Sequence, residues 1–89
     1  MPPGLLSIAP NLVVEVRSPT DPWSEVFTKV GEYLGAGVTV VLVLDPETKT
    51  ASIYRNDARN PQQILNWGDE LTLPDVLPHF TFPVKRLFE

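Results

Sequence analysis

The sequence predicts one small α/β domain, in which a mixed β-sheet contains a strand–helix–strand crossover followed by antiparallel hairpins. A chain of 89 residues is long enough for one thin hydrophobic core and too short for two. Its 43% hydrophobic and 20% charged residues are typical of globular domains. Ten prolines separate apolar runs whose spacing changes from strand-like to helical and back. We therefore expect residues 1–89 to form a single domain.

The first predicted strand covers residues 11–17, NLVVEVR, between Pro10 and Pro19. This run is too short for a helix and rich in β-branched residues. It is also too continuously apolar for a strand with one face in water, so it predicts a central strand.

A helix is predicted to follow and to extend to about Leu34. Asp21 can accept a hydrogen bond from a free amide at its start, and Pro22 suits the first helical position. Gly35 and Gly37 provide the stop, where a left-handed residue is tolerated best. Apolar residues recur at spacings of three and four and define the face that packs on the sheet: Trp23, Val26, Phe27, Val30, Tyr33 and Leu34.

The second buried strand is predicted at residues 38–44, and the strand–helix–strand order favours parallel pairing with the first strand. Turn formers at residues 45–49 and weak alternation over residues 50–55 then predict a hairpin. The remaining predictions are short elements joined by irregular chain: a loop at 56–61, strands at 62–65 and 70–73, irregular chain at 74–78 and one amphipathic turn at 84–88.

Charge and cysteine content exclude several classes of protein. Seven basic against eleven acidic residues give a net charge of −4 with no basic tract, which argues against binding nucleic acid mainly through counterion release. The absence of cysteine excludes disulfides, thiolate nucleophiles and cysteine-ligated zinc. Neither a signal peptide nor a long apolar segment occurs, so we expect a soluble, cytoplasmic protein that does not enter membranes.

Glu15 is the residue that the apolar pattern does not explain, because a carboxylate in a covered strand needs a partner or a cation. Arg17 is one candidate partner, since residues two apart on a strand share a face. Lys29 is another, because a helical wheel places it beside the buried stripe. Two interpretations are open: a structural ion-pair cluster, or a divalent-metal site in which a nearby cation stabilises a phosphoryl group.

Other polar residues carry weaker signals. His79 is the only histidine, and we expect it in a surface loop. Trp67 is expected to anchor a turn with Gly68 and Asp69. The remaining carboxylates of the turns and loops are expected to be solvated, namely Asp45, Glu47, Asp57, Asp69 and Asp75. No phosphate-binding, serine-hydrolase, dinucleotide or zinc-protease motif occurs.

Two runs together, residues 9–21 (APNLVVEVRSPTD) and 29–38 (KVGEYLGAGV), resemble the Uma-two family of bacterial restriction-endonuclease-like proteins. That family belongs to the PD-(D/E)XK nuclease superfamily. The similarity continues in order through residues 43–47 and on to Phe88. It therefore covers nearly the whole chain, although it corresponds to the C-terminal part of the family's fold.

The resemblance implies hydrolysis of DNA phosphodiester bonds with Mg²⁺ or Mn²⁺. Glu15 matches the glutamate of the (D/E)XK strand and would be the metal ligand. Arg17 stands at the lysine position of the motif. In relatives, the role of this lysine often looks as though it has moved to the following helix. In this sequence, that would assign the role to Lys29.

The sequence also departs from the family pattern. The helix with an acidic residue and the strand with the PD aspartate would both precede Met1, so the second metal-binding carboxylate and one neighbouring strand are expected to be missing. Asn11 and His79 replace the usual Asp and Gly. Such a nuclease-like core would be partial, with an open strand edge that favours a homo-oligomer.

Two functions are therefore compatible with the sequence. One is a metal-dependent endonuclease that uses Glu15 with Lys29 or Arg17. This function requires a second carboxylate close to Glu15, so the presence of such a carboxylate distinguishes the two. The other is a non-catalytic module of the same fold that acts through self-association or protein binding. The acidic balance and the missing aspartate favour the second.

Overall fold

The computed structural model describes residues 11–89 and contains one α-helix, six strands and one 3₁₀ helix in this range. In chain order the elements are β1 (Leu12–Val16), α1 (Trp23–Gly35), β2 (Val40–Asp45), β3 (Thr50–Tyr54), β4 (Gln63–Leu65), β5 (Glu70–Thr72), β6 (Thr81–Pro83) and a C-terminal 3₁₀ helix (Val84–Phe88). No helix within the described range is long and apolar enough to cross a membrane.

The strands form a four-stranded sheet in the order β1-β2-β3-β4 and a separate two-stranded sheet of β5 and β6. β1 and β2 are parallel and are connected by α1, whereas β2, β3 and β4 pair antiparallel. The predicted α/β class is thus confirmed, including the crossover and the hairpin that follows it. In the parallel pair, Glu15 lies opposite Val43.

The prediction that the first strand is central in the sheet is wrong for the described residues. β1 pairs only with β2 over residues 11–89 and forms an edge of the sheet. Burial of both faces does not explain its apolar run. Val13 packs beneath α1, whereas Val14 and Val16 on the opposite face are 50% and 58% exposed. The strand is therefore covered mainly on one face, and a continuous apolar pattern did not distinguish these two situations.

The core lies on both faces of β2, which explains why that strand is apolar throughout. On one face, α1 packs against the sheet through a first group of buried residues: Val26, Val30, Val38, Val41, Val43 and Tyr54. On the other face, β5 and the C-terminal 3₁₀ helix cover a second group: Val40, Leu42, Leu44, Ala51, Ile53, Leu65, Leu71, Leu73 and Val84. Burial also raises the pKa of the Tyr54 phenol.

The two ends of α1 are terminated in different ways. Pro22 is the residue before the first helical turn, with φ −69° and ψ 148°, and no side chain caps this end. Asp21 lies one residue too early for capping, and its carboxylate instead accepts a hydrogen bond from the Ser18 amide at 3.0 Å, so the expected cap is wrong. At the other end Gly37 has φ 98°, which confirms the predicted glycine stop.

The short elements after β3 are predicted less completely. β4 and β5 lie where short strands are expected, and residues 84–88 form the expected final turn. β6 was not predicted, because Thr81–Pro83 is only three residues long and ends in proline. It pairs with β5 and leads directly into the 3₁₀ helix that closes the second core face.

Candidate functional site

Glu15 forms the centre of a small polar site between β1 and α1. Its carboxylate accepts a hydrogen bond from the Lys29 ammonium at 3.0 Å and a longer one from the Tyr33 hydroxyl at 3.5 Å. The Glu15 side chain is 18% exposed and that of Lys29 is 49% exposed. The site is therefore shielded on the protein side and open to solvent beyond Lys29.

Local geometry explains why these three side chains meet. Alternation along β1 places Glu15 on the face that α1 covers, together with Val13. Lys29 and Tyr33 are four residues apart, so they lie one above the other on the flank of α1 nearest β1. The hydrogen bond that Lys29 donates to Glu15, together with the negative charge of Glu15, raises the pKa of Lys29. The predicted proximity of Lys29 to Glu15 is confirmed.

Arg17 does not pair with Glu15, although both side chains lie on the same face of the strand. Its guanidinium contacts Asp45 at 3.3 Å and Glu47 at 2.9 Å, and its Nε donates to the Asp21 carbonyl at 3.2 Å. It also lies 4.9 Å from the centre of the Trp23 ring. The hydrogen bond to Glu47 and the nearby charge of Asp45 raise the pKa of Arg17. Arg17 thus connects the carboxyl ends of β1 and β2 with the start of α1.

Asp45 is a polar residue whose environment was predicted incorrectly. Expected in a solvated turn, it is instead the last residue of β2 and only 4% exposed. Its Oδ1 accepts hydrogen bonds from Arg17 and from the Glu47 amide at 3.1 Å. The available signal was its position directly after an apolar run, since a carboxylate that ends a buried strand is readily enclosed by its neighbours.

The remaining candidates lie away from Glu15. His79 is exposed in the loop before β6, as expected, and its φ is 65°. Trp67 occupies the predicted turn but is 43% exposed, so it packs only partly. Its ring stacks on Phe88 at 6.4 Å between centroids, and the Lys49 ammonium lies 4.6 Å from its centre.

The polar site offers one carboxylate to a cation. Over residues 11–89, no group of three or more histidine or acidic side chains is placed to hold a metal ion. A hard divalent cation prefers several oxygen ligands, so Glu15 fits as one ligand of such a site and cannot form it alone. Lys29 already neutralises this carboxylate and would have to release it to a metal.

The chain is similar to known proteins in family and in fold. The family described as "Uma2: Putative restriction endonuclease" matches residues 3–85. The fold is similar to the crystal structure of a protein from Anabaena variabilis, described as "a putative nuclease belonging to DUF820", with a TM-score of 0.70 and 25% identity. The match covers 91% of this chain and 45% of the other, so the chain spans less than half the length of that protein. No curated protein matches the chain.

Proposed function

The chain belongs to the Uma2 family, described as putative restriction endonucleases, and on this premise we propose that it provides part of a metal-dependent site for hydrolysing DNA phosphodiester bonds. The observation that carries the proposal is the position of Glu15. A partly shielded carboxylate on β1 faces α1 and has an ammonium group 3.0 Å away. A carboxylate can bind a divalent metal ion and a nearby ammonium can stabilise charge on a phosphate, so the two groups suit metal-assisted phosphoryl chemistry.

Each residue of the site has a distinct proposed role. Glu15 is the metal ligand, and bound Mg²⁺ or Mn²⁺ would supply Lewis-acid stabilisation of the scissile phosphate. Lys29 offers its ammonium to the same phosphate once Glu15 binds the metal. Tyr33 orients the second oxygen of Glu15 through its hydroxyl. Arg17, expected from sequence as a further catalytic cation, is proposed to position β1, because its guanidinium is already bound to two carboxylates.

We propose that a second protomer supplies the further carboxylate. β1 has a free edge within the described chain, and pairing of two exposed edges is a common route to homodimers. Antiparallel pairing of two β1 strands would put both α1 helices on the same face of the joined sheet. The two Glu15 side chains would then also share that face, and we propose the register that places them directly opposite each other, about 5 Å apart at Cβ. One metal ion would therefore bind per two chains.

A non-catalytic role in self-association or protein binding is the second candidate. Two observations favour it. Glu15 and Lys29 already satisfy one another, and the chain carries a net charge of −4 rather than a basic surface for DNA. In this case the Glu15–Lys29 pair would hold α1 against the free edge of the sheet, and the edge itself would be the functional surface.

Metal titration combined with a nicking assay distinguishes the two functions. We expect Mn²⁺ to bind with one ion per two chains by calorimetry, and the same samples to nick supercoiled plasmid. Glu15→Gln should abolish both signals, whereas Glu70→Gln should abolish neither, because Glu70 is an exposed carboxylate on β5. Sedimentation of both variants shows whether dimerisation persists. Absence of both signals in a dimeric wild-type chain would refute the nuclease and favour the non-catalytic role.

A further inference from the structure

The opposite flank of α1 borders a groove that shares no residue with the Glu15 site. We name it the hydroxyl groove and define it by Trp23, Phe27, Thr50, Ser52, Arg59 and Ile64; its lining also includes the carboxylate of Asp45, which is paired with Arg17. The cleft has a volume of about 510 Å³, which lies within the range of small-molecule sites. On α1, Phe27 and Lys29 are two residues apart, so they point to nearly opposite flanks of the helix.

The floor of the groove is formed by residues of β3 and β4 on the face of the sheet that α1 packs against. Thr50 lies opposite the buried Asp45, and Ser52 lies between Val43 on β2 and Ile64 on β4. Ser52 is 6% exposed, whereas Ile64 is 54% exposed. The Thr50 hydroxyl is within 2.8 Å of the Thr48 hydroxyl, which orients both groups. Hydroxyl groups and an apolar side chain therefore line one concave surface.

Aromatic side chains form the wall of the groove. Trp23 and Phe27 are one helical turn apart, and their ring centroids are 5.7 Å from each other in a tilted arrangement. The Arg17 guanidinium lies on the Trp23 ring, and this contact holds the indole at the start of α1. Both aromatic residues are only partly buried, so the wall offers ring surface against which a planar group can pack.

The rim carries the guanidinium of Arg59. Among residues 11–89 the Arg59 side chain forms no ion pair, in contrast to Arg17, Lys29, Arg55 and Arg86. Its loop is nevertheless ordered by local bonds, because the Asp57 carboxylate accepts the Arg59 amide at 2.8 Å and the Asn60 side-chain amide at 2.8 Å. These bonds, that of Asn60 foremost, lower the pKa of Asp57, and the positive charge of Arg59 also helps to lower it. A second cleft, lined by Ser24, Phe27, Thr28 and Arg59, also reaches this side chain.

We propose that the hydroxyl groove binds a nucleotide, with the base against Phe27 and Trp23 and the phosphate on the Arg59 guanidinium. Arginine pairs well with phosphate because its planar donors match two phosphate oxygens. Base–aromatic stacking tolerates every base, and the floor hydroxyls provide hydrogen bonds to sugar or base edges. The ligand is either a free mononucleotide or an unstacked nucleotide of a single strand. The proposal does not depend on phosphodiesterase activity, because no groove residue belongs to the Glu15 site.

Trp23 fluorescence provides the test in a Trp67→Phe background, where it is the only tryptophan. The probes are dTMP, thymidine and a short oligo(dT). We expect dTMP to change the emission saturably and to bind at least about fivefold more tightly than thymidine, because the phosphate contacts Arg59. Tighter binding of oligo(dT) would identify a strand as the source, and equal binding would identify the free nucleotide.

Matched variants determine whether the groove is responsible. Arg59→Gln should weaken dTMP binding at least about fivefold. Lys85→Gln, which removes the same charge from an exposed lysine outside the groove, should leave it unchanged. Glu15→Gln should also leave it unchanged, which separates this proposal from the nuclease. No saturable response to dTMP or oligo(dT), or equal weakening by Arg59→Gln and Lys85→Gln in folded variants, would overturn the proposal.

Discussion

Val30→Ala tests whether α1 is held on the sheet by burial of its apolar face. Val30 is 0% exposed and packs with Val41 and Val43 beneath the helix. The substitution removes two methyl groups, which costs about 1.6 kcal/mol of transfer free energy at ~0.8 kcal/mol each. An unfilled cavity adds up to about 1 kcal/mol, and the better helix propensity of alanine returns about 0.5 kcal/mol. We expect a net loss of about 1–2 kcal/mol in the free energy of unfolding.

The matched control is Val14→Ala, the same chemical change on the exposed face of β1. Val14 is 50% exposed, so its truncation should cost at most about 0.8 kcal/mol and should leave no closed cavity. Urea denaturation, monitored by circular dichroism, gives the free energy of unfolding of both variants. For a domain of this size, the Tm of Val30→Ala should fall by roughly 5–15 °C. Equal or greater destabilisation by Val14→Ala would refute the reasoning, because it would require the outer face of β1 to be covered.

Two further predictions concern pH and backbone conformation. The bidentate contact from Arg55 lowers the pKa of Asp75. This contact should therefore stabilise the fold above pH ~4, and the stabilisation should be lost as the pH falls through the lowered pKa. Asp75→Asn should accordingly make Tm less sensitive to acid. Gly37→Ala should cost about 1–2 kcal/mol in thermal denaturation because φ is 98°, whereas Gly35→Ala, with nothing within 4 Å of the added Cβ, should be neutral or stabilising.

The elements with strong periodicity were predictable from sequence. The apolar spacing of α1 and the β-branched runs of β1 and β2 gave the crossover, and turn formers after Asp45 gave the next hairpin. Glu15 was detectable because a carboxylate within an apolar strand requires a partner, and the wheel position of Lys29 made it one of two candidate partners, the other being Arg17. Each of these signals is local in the chain.

The features that were missed depend on contacts distant in sequence. Arg17 pairs with Asp45 and not with Glu15, and Arg17 and Asp45 are 28 positions apart in the sequence. Whether β1 is central or at an edge depends on which strands pair with it, which its own composition does not specify. The exposed part of the sheet around Ile64 likewise depends on how far α1 extends over β3 and β4. Tertiary packing decides these features, so single-segment patterns could not.

The ion pair of Arg17 also protects the alignment of β1 on its neighbour. A slip of one residue would turn Glu15 away from α1 and place Val14 and Val16 beneath the helix, and apolar packing alone would favour that change. The Arg17 amide donates to the Leu44 carbonyl at 2.8 Å, and the guanidinium contacts Asp45 at the same end of the strands. In the slipped state the guanidinium would leave Asp45 buried without its cation. An arginine that does not contact Glu15 thus raises the free energy of the slipped pairing, in which Glu15 would lose Lys29 and Tyr33.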